Sequence, residues 1–179
     1  MPSLSRELRN DLAKVTSAAR SRAELAARAA LENLAVHERQ ARGHMDEPKR
    51  KLRAALRARG LALGDIRAPD GAQELTRLVE HTAYEHWHRL LFTRFLTENN
   101  LLVMPDDAGG TATPVTVAEC EELAPDLGAK DGFDLASRFA RHSLPGVFRD
   151  GDPILDLTFA PESQVALRKL IDSLATDTF

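Results

Sequence analysis

Residues 74–102 read ELTRLVEHTAYEHWHRLLFTRFLTENNLL, and this stretch decides the fold. Leu75, Leu78, Val79, Ala83, Trp87, Leu90 and Phe95 recur at three-or-four spacing, which a helix gathers onto one broad face. Tyr84, Leu91 and Phe92 widen the apolar surface toward the other side. A helix that is apolar over most of its circumference has neighbours on several sides, so a central helix is expected over residues 74–100. Asp70 and Gln73 offer a capping box for its start. Asn99 and Asn100 offer its stop, because Asn tolerates the left-handed backbone that ends helices. The only Trp and the only Tyr of the chain lie here. If Trp87 is buried, truncating it to Ala costs on the order of 3–5 kcal/mol.

Upstream, Ser3 to about Gln40 reads as a long helix with Leu4, Leu8, Leu12, Val15, Ala19, Ala26, Ala30 and Leu34 on one stripe and Ser3 as N-cap. Unbroken, it would be roughly 55 Å long. That length predicts a kink or a projecting first domain (residues 1–45) beside a helical domain over 46–179. The middle of the stripe is Ala, which allows close approach but contributes little burial, so this helix is expected to dock on something outside the chain. Asp46 with Pro48 then signals a second helix, PKRKLRAALRAR, ending at Gly60. Leu52, Ala55 and Leu56 share its apolar face, and Lys49, Arg50, Lys51, Arg53 and Arg57 make it strongly basic. Residues 61–71 read as a linker.

Downstream of the central stretch, residues 101–104 read as a short extended tail and residues 106–113 (DDAGGTAT) as a surface loop. Thr116 and Glu119 form a second capping box, opening a short helix to about Leu123. A helix follows over 133–142 with Leu135, Ala136 and Phe139 inward. Residues 154–159 (ILDLTF) alternate as an extended segment and could pair with residues 101–104. Pro161 opens a last helix anchored by Val165, Leu167, Leu170 and Ile171. The fold class expected is therefore mostly α: an irregular multi-helix bundle around a long central helix, with at most a minimal two-strand ribbon.

At 179 residues the chain can build a core without staples. Its one cysteine, Cys120, excludes an internal disulfide and agrees with a reducing cytoplasm. Cys120 lies between Glu119 and Glu121, whose charges raise a thiol pKa and argue against a nucleophile. The polar, charged start from Ser3 to Lys14 does not read as a signal peptide, and no apolar run approaches a membrane span. Net charge is −3, but residues 1–60 carry 14 Lys/Arg against 7 Asp/Glu. A basic first third beside an acidic remainder points to a nucleic-acid face or to an internal electrostatic contact, with a solvated basic helix as the alternative. In the first case Lys49, Arg50, Lys51, Arg53 and Arg57 are the candidate phosphate contacts. No aromatic residue is interleaved with them, which argues against stacking on single strands.

Catalytic signals are weak. His81, Glu85 and His88 share a helix face, but HTAYEHWH is not the HExxH zinc motif. Gly109-Gly110 lacks the lysine of a phosphate loop and the Rossmann spacing, and no GxSxG elbow occurs. No catalytic, cofactor-binding or metal-ligating residue is assigned.

One resemblance bears on function. YEHWHRLLFTRFLTENNLL (84–102) resembles a segment of the helical N-terminal region of large adenine-specific DNA methylases. These belong to bacterial restriction–modification and phage-defence systems of the BREX-like and DISARM-like kinds. The similarity extends through LRAALRARGLALGD, VTVAECEELAPDLGAKDGFDLASRF and LPGVFRDGDPILDLTFAPESQVALRKLIDSL, roughly residues 50 to 179. It implies a domain that packs on the methylase core or another subunit and helps grip duplex DNA. The parent protein would transfer a methyl group from S-adenosylmethionine to adenine N6, on a base taken out of the stack. The family's Gly-rich S-adenosylmethionine turn and its NPPY-like adenine motif are absent, so no catalytic residue carries over. The resemblance implies that the core would lie beyond Phe179. The alternative expectation is a non-catalytic protein-interaction module without nucleic-acid contact, using the Ala-striped first helix.

Overall fold

Ser5 opens the first helix: its Oγ accepts a hydrogen bond from the Leu8 N–H at 3.2 Å. The computed structural model describes residues 4–105 and 113–179. The expected cap at Ser3 and the loop over 106–112, including Gly109-Gly110, lie outside the described residues. Six α-helices dominate: α1 (Arg6–Asn33), α2 (Glu47–Leu63), α3 (Thr76–Glu98), α4 (Val117–Leu123), α5 (Gly132–Ser143) and α6 (Pro161–Asp172). A ribbon of β1 (Val103–Met104) and β2 (Thr113–Pro114) is antiparallel, with Val103 opposite Pro114. The chain is mostly helical, as its periodicity predicts. The strand partner differs from expectation, because Pro153–Asp156 closes into a 3-10 turn capped by Asp152.

The helix starts follow the sequence signals. Asp46 accepts the Lys49 N–H at 2.9 Å with Pro48 in the first turn of α2. Thr116 and Glu119 complete the reciprocal box at α4. The start of α3 does not: Asp70 closes a turn onto the Ala72 N–H, and the Gln73 amide donates to the Arg57 carbonyl. Instead the carboxylate of Asp65, from the loop after α2, accepts both the Arg77 and the Leu78 N–H, at 2.7 and 3.0 Å. A remote carboxylate does the same work as a local cap by filling the orphan donors and meeting the positive helix end.

All three long helices stop in the same way. A residue in the left-handed region is flanked by one hydrogen bond spanning five residues and one spanning three. Ala35 (φ 53°) ends α1, between Val36 N–H to Leu31 O and Ala35 N–H to Glu32 O. Gly64 (φ 102°) ends α2 and Asn100 (φ 56°) ends α3, with the matching pairs. Gly60, expected as the cap of α2, is inside the helix and buried. A Cβ there would meet Gln73 Nε2 at 2.7 Å and Asp65 Oδ2 at 3.0 Å, so the helix passes through a spot where only hydrogen fits.

The chain forms two units. One comprises residues 13–87 and 151–173, the other residues 4–12, 88–150 (of which 106–112 are not described) and 174–179. This is not the expected division near residue 45. In the first unit Ala19, Ala23, Ala27 and Leu31 of α1 are fully enclosed, with Leu56, Leu78 and Ile171. Of the expected Ala stripe, Ala19 and Ala26 are buried and Ala30 is half-buried, so this part of α1 packs within its unit. In the second unit Leu96, Leu102, Cys120, Leu135, Ala136 and Phe148 form the centre of a cluster edged by Phe92, Phe95 and Leu123. Gly132 lets α5 approach α4: a Cβ would lie 2.7 Å from the Glu121 backbone nitrogen.

Helix α3 is less enclosed than its composition predicts. Leu78, Val79, Thr82 and Ala83 are buried, as is Leu75 just before the helix, but Tyr84 is 45% exposed. Trp87, Leu90, Leu91 and Phe95 are only half-buried. Tyr84 and Trp87 meet edge-on, with ring centroids 5.6 Å apart and planes at 86°. In α6, Leu167 and Ile171 are buried, whereas Val165 is 51% exposed and is not an anchor.

Candidate functional site

The basic helix α2 divides into two groups of cations. Arg53 and Arg57 are buried. Arg53 donates to the carbonyl oxygens of Ala35 (2.9 Å) and Glu38 (2.5 Å). Arg57 donates to Val36 (2.6 Å), Glu38 and Gly71 (2.9 Å). These acceptors, Gly71 aside, lie in the turn that follows α1. That helix has no basic residue in its own last turn. The two guanidinium groups therefore answer the partial negative charge of its C-terminal end from the neighbouring helix. Burial pulls both below the ordinary arginine pKa, and for Arg57 the nearby Arg53 and Arg67 cations add to this. The Gln73 backbone N–H completes the clamp by donating to the His37 carbonyl at 2.9 Å.

This arrangement removes Arg53 and Arg57 from the candidate phosphate contacts. Their forks face inward and their donors are committed to carbonyl oxygens. Helical spacing marks a cationic residue but does not tell whether its acceptor is a phosphate or the end of another helix. Lys49, Arg50 and Lys51 are exposed. Lys49 lies 3.1 Å from Asp46, and Arg50 donates to the Met45 and Gly43 carbonyls. Lys51 makes no ion pair or hydrogen bond among the described residues.

The histidines of α3 hold structural contacts. Arg59 donates to Asp152 at 2.9 Å through Nε and lies 2.9 Å from His81 Nε2. A guanidinium only donates, so that imidazole nitrogen accepts. His86 stacks on Phe159 with ring centroids 4.1 Å apart. Among the described residues no group of three or more His, Cys, Asp or Glu side chains could hold a metal ion. Cys120 is fully buried, and its thiol is pushed up to about 11, by burial first and by the Glu119 charge second. The direction agrees with what the flanking carboxylates predict, but enclosure outranks them. No helix among the described residues is long and apolar enough to cross a membrane.

A feature with only a faint sequence signal lies between α1 and α6. A groove of about 850 Å³ has its apolar lining from Ala18, Leu25 and Ala29 of α1 and Ala166 and Leu170 of α6. Leu25 is 73% exposed. Arg22 and Lys169 are the only charged residues lining the groove, and the side chain of neither makes an ion pair or hydrogen bond among the described residues. Leu25 falls off the Ala19–Ala23–Ala26 line, but only the position of α6 turns that into a groove.

No protein-family model, no curated protein and no solved structure matches the chain.

Proposed function

We propose that this chain is a non-catalytic helical module that works by packing against another polypeptide. On this reading the machine it serves is an adenine-specific DNA methylase of a bacterial restriction–modification or phage-defence system, and methyl transfer from S-adenosylmethionine is the task of a core supplied elsewhere. The methylase part rests on the resemblance carried by residues 84–102 and their flanks. The interaction part rests on one observation: the two central arginines of the basic helix are turned inward, while the α1–α6 surface carries an exposed leucine and unpaired cations. The test is binding of the purified chain to a labelled duplex across a sodium chloride series. The expected result is a salt slope that is the same for the wild type and for a K49A/R50A/K51A variant. Methyl transfer to duplex DNA from S-adenosylmethionine by the purified chain alone would overturn the non-catalytic reading.

A second reading, duplex grip, is favoured by the exposure of Lys49, Arg50 and Lys51 in consecutive positions near the start of α2. It predicts a slope that flattens by roughly 0.9 for each phosphate that the variant no longer neutralises.

A further inference from the structure

The groove between α1 and α6 combines an apolar lining with two cations and the hydroxyls of Ser21, Ser163 and Ser173. Its apolar lining is small or flat: Ala18, Ala29 and Ala166 allow a backbone to come close, and Leu25 and Leu170 supply the larger apolar contacts. Both charged residues in the lining, Arg22 and Lys169, are cations, one contributed by each helix. No carboxylate lines the groove, and neither cation is neutralised within the described residues. An occupant that buries Leu25 must also answer these two charges, because an unpaired charge at the edge of a desolvated contact weakens binding.

We infer that this groove receives one amphipathic helix of a partner protein, apolar on the contacting face and carrying carboxylates along its flanks. The inference deepens the interaction-module reading and rests on it. A helix suits a trough between two helices, where side-chain ridges of the incoming segment lie in the grooves of the receiving pair. Charge selects the partner. A second copy of this chain seated symmetrically on the same groove would bring two cationic linings together with no carboxylate between them, which repel. Nucleic acid would answer the cations but leave Leu25 and Leu170 facing phosphate, and the lining has no aromatic ring on which a base could stack.

The experiment uses the full chain and two synthetic helical peptides. Both carry alanine and leucine at three-or-four spacing, flanked by glutamate in one and by lysine in the other. Binding is read by fluorescence anisotropy. The glutamate-flanked peptide is expected to bind the wild type at least about tenfold more tightly than the lysine-flanked one. The R22E/K169E variant is expected to reverse that order, and L25D to abolish binding of both. Positions 22, 25 and 169 are exposed, so circular dichroism of each variant is expected to match the wild type. Equal binding of the two peptides, absence of binding by either, or an order unchanged in R22E/K169E overturns the inference. So does preferential capture of a duplex that R22E/K169E releases. These outcomes are read separately from the salt-slope comparison of the wild type with K49A/R50A/K51A, so failure of the groove and failure of the interaction-module reading are told apart.

Discussion

Arg53 donates through Nε to the carbonyl oxygen of Ala35 at 2.9 Å, and Ala35 is the residue whose left-handed backbone ends α1. A buried cation on one helix thus holds the stop of another. Ala carries a Cβ penalty in that conformation, and no residue in the last turn of α1 offsets the helix dipole. The turn depends on Arg53 and Arg57 for what a glycine and a local lysine would ordinarily provide.

Replacing either arginine by methionine leaves the stem and removes the donors: R53M takes its side-chain hydrogen bonds from the Ala35 and Glu38 carbonyls, and R57M from those of Val36, Glu38 and Gly71. R53M and R57M are each expected to destabilise the chain by ~2–4 kcal/mol in urea melts. Lysine does not rescue position 57, because a single ammonium cannot reproduce a fork that reaches three carbonyls. K49A and K51A, at exposed positions, are expected within about 0.5 kcal/mol of the wild type. Equal costs in the two groups would show that the inward arginines are not structural.

Gly60 and Gly132 sit where a side chain would collide. G60A places a methyl against Gln73 Nε2, and G132A places one against the Glu121 backbone. The second neighbour is backbone and cannot swing aside, so G132A is expected to cost more, with both in the range of about 1–3 kcal/mol. G146A, where nothing lies within 4 Å, is the control and is expected to be near neutral. Thermal midpoints for the three variants order these effects.

The stop of α3 is a backbone matter. Asn100 is exposed with φ 56°. N100G is expected to hold or slightly raise stability, and N100V to lower it by about 1–2 kcal/mol, since a β-branched side chain resists the left-handed region. If N100V melts with the wild type, the turn is not held in that conformation in solution.

Cys120 gives stability a pH dependence with a defined sign. Its folded pKa is raised, so the folded state prefers the neutral thiol. That contribution is intact below the unfolded value of 9.0 and is lost as pH rises through about 11. Between those limits the wild type is expected to lose ~2–3 kcal/mol relative to C120A, whose offset is constant with pH. Denaturant midpoints for the pair at pH 8, 9, 10 and 11 (roughly one step per proton-equilibrium decade) check this. A constant gap across the series would place the thiol in water.

Trp87 is half-buried, packed edge-on to Tyr84, so the full cost of removing a buried indole does not apply. W87A is expected to cost less than about 3 kcal/mol. As the sole Trp it reports its own environment: acrylamide is expected to quench its native fluorescence in part, neither fully nor negligibly.

Features carried by neighbouring residues were legible in the sequence. The helical class follows from apolar spacing, the starts of α2 and α4 from Asp46 and Thr116, the start of α6 from Pro161, and the stop of α3 from Asn100, because each depends on atoms within a turn or two. Tertiary structure alone decided what depends on the opposite side of a contact. It turned Arg53 and Arg57 inward, carried α2 through Gly60, and gave the cap of α3 to Asp65 rather than to Asp70. It paired residues 103–104 with 113–114 and set α6 beside Leu25 to make a groove. The physical reason is the same in each case. A side chain's type fixes which partners it can accept, but the acceptor, the space or the neighbour comes from a segment distant in the chain.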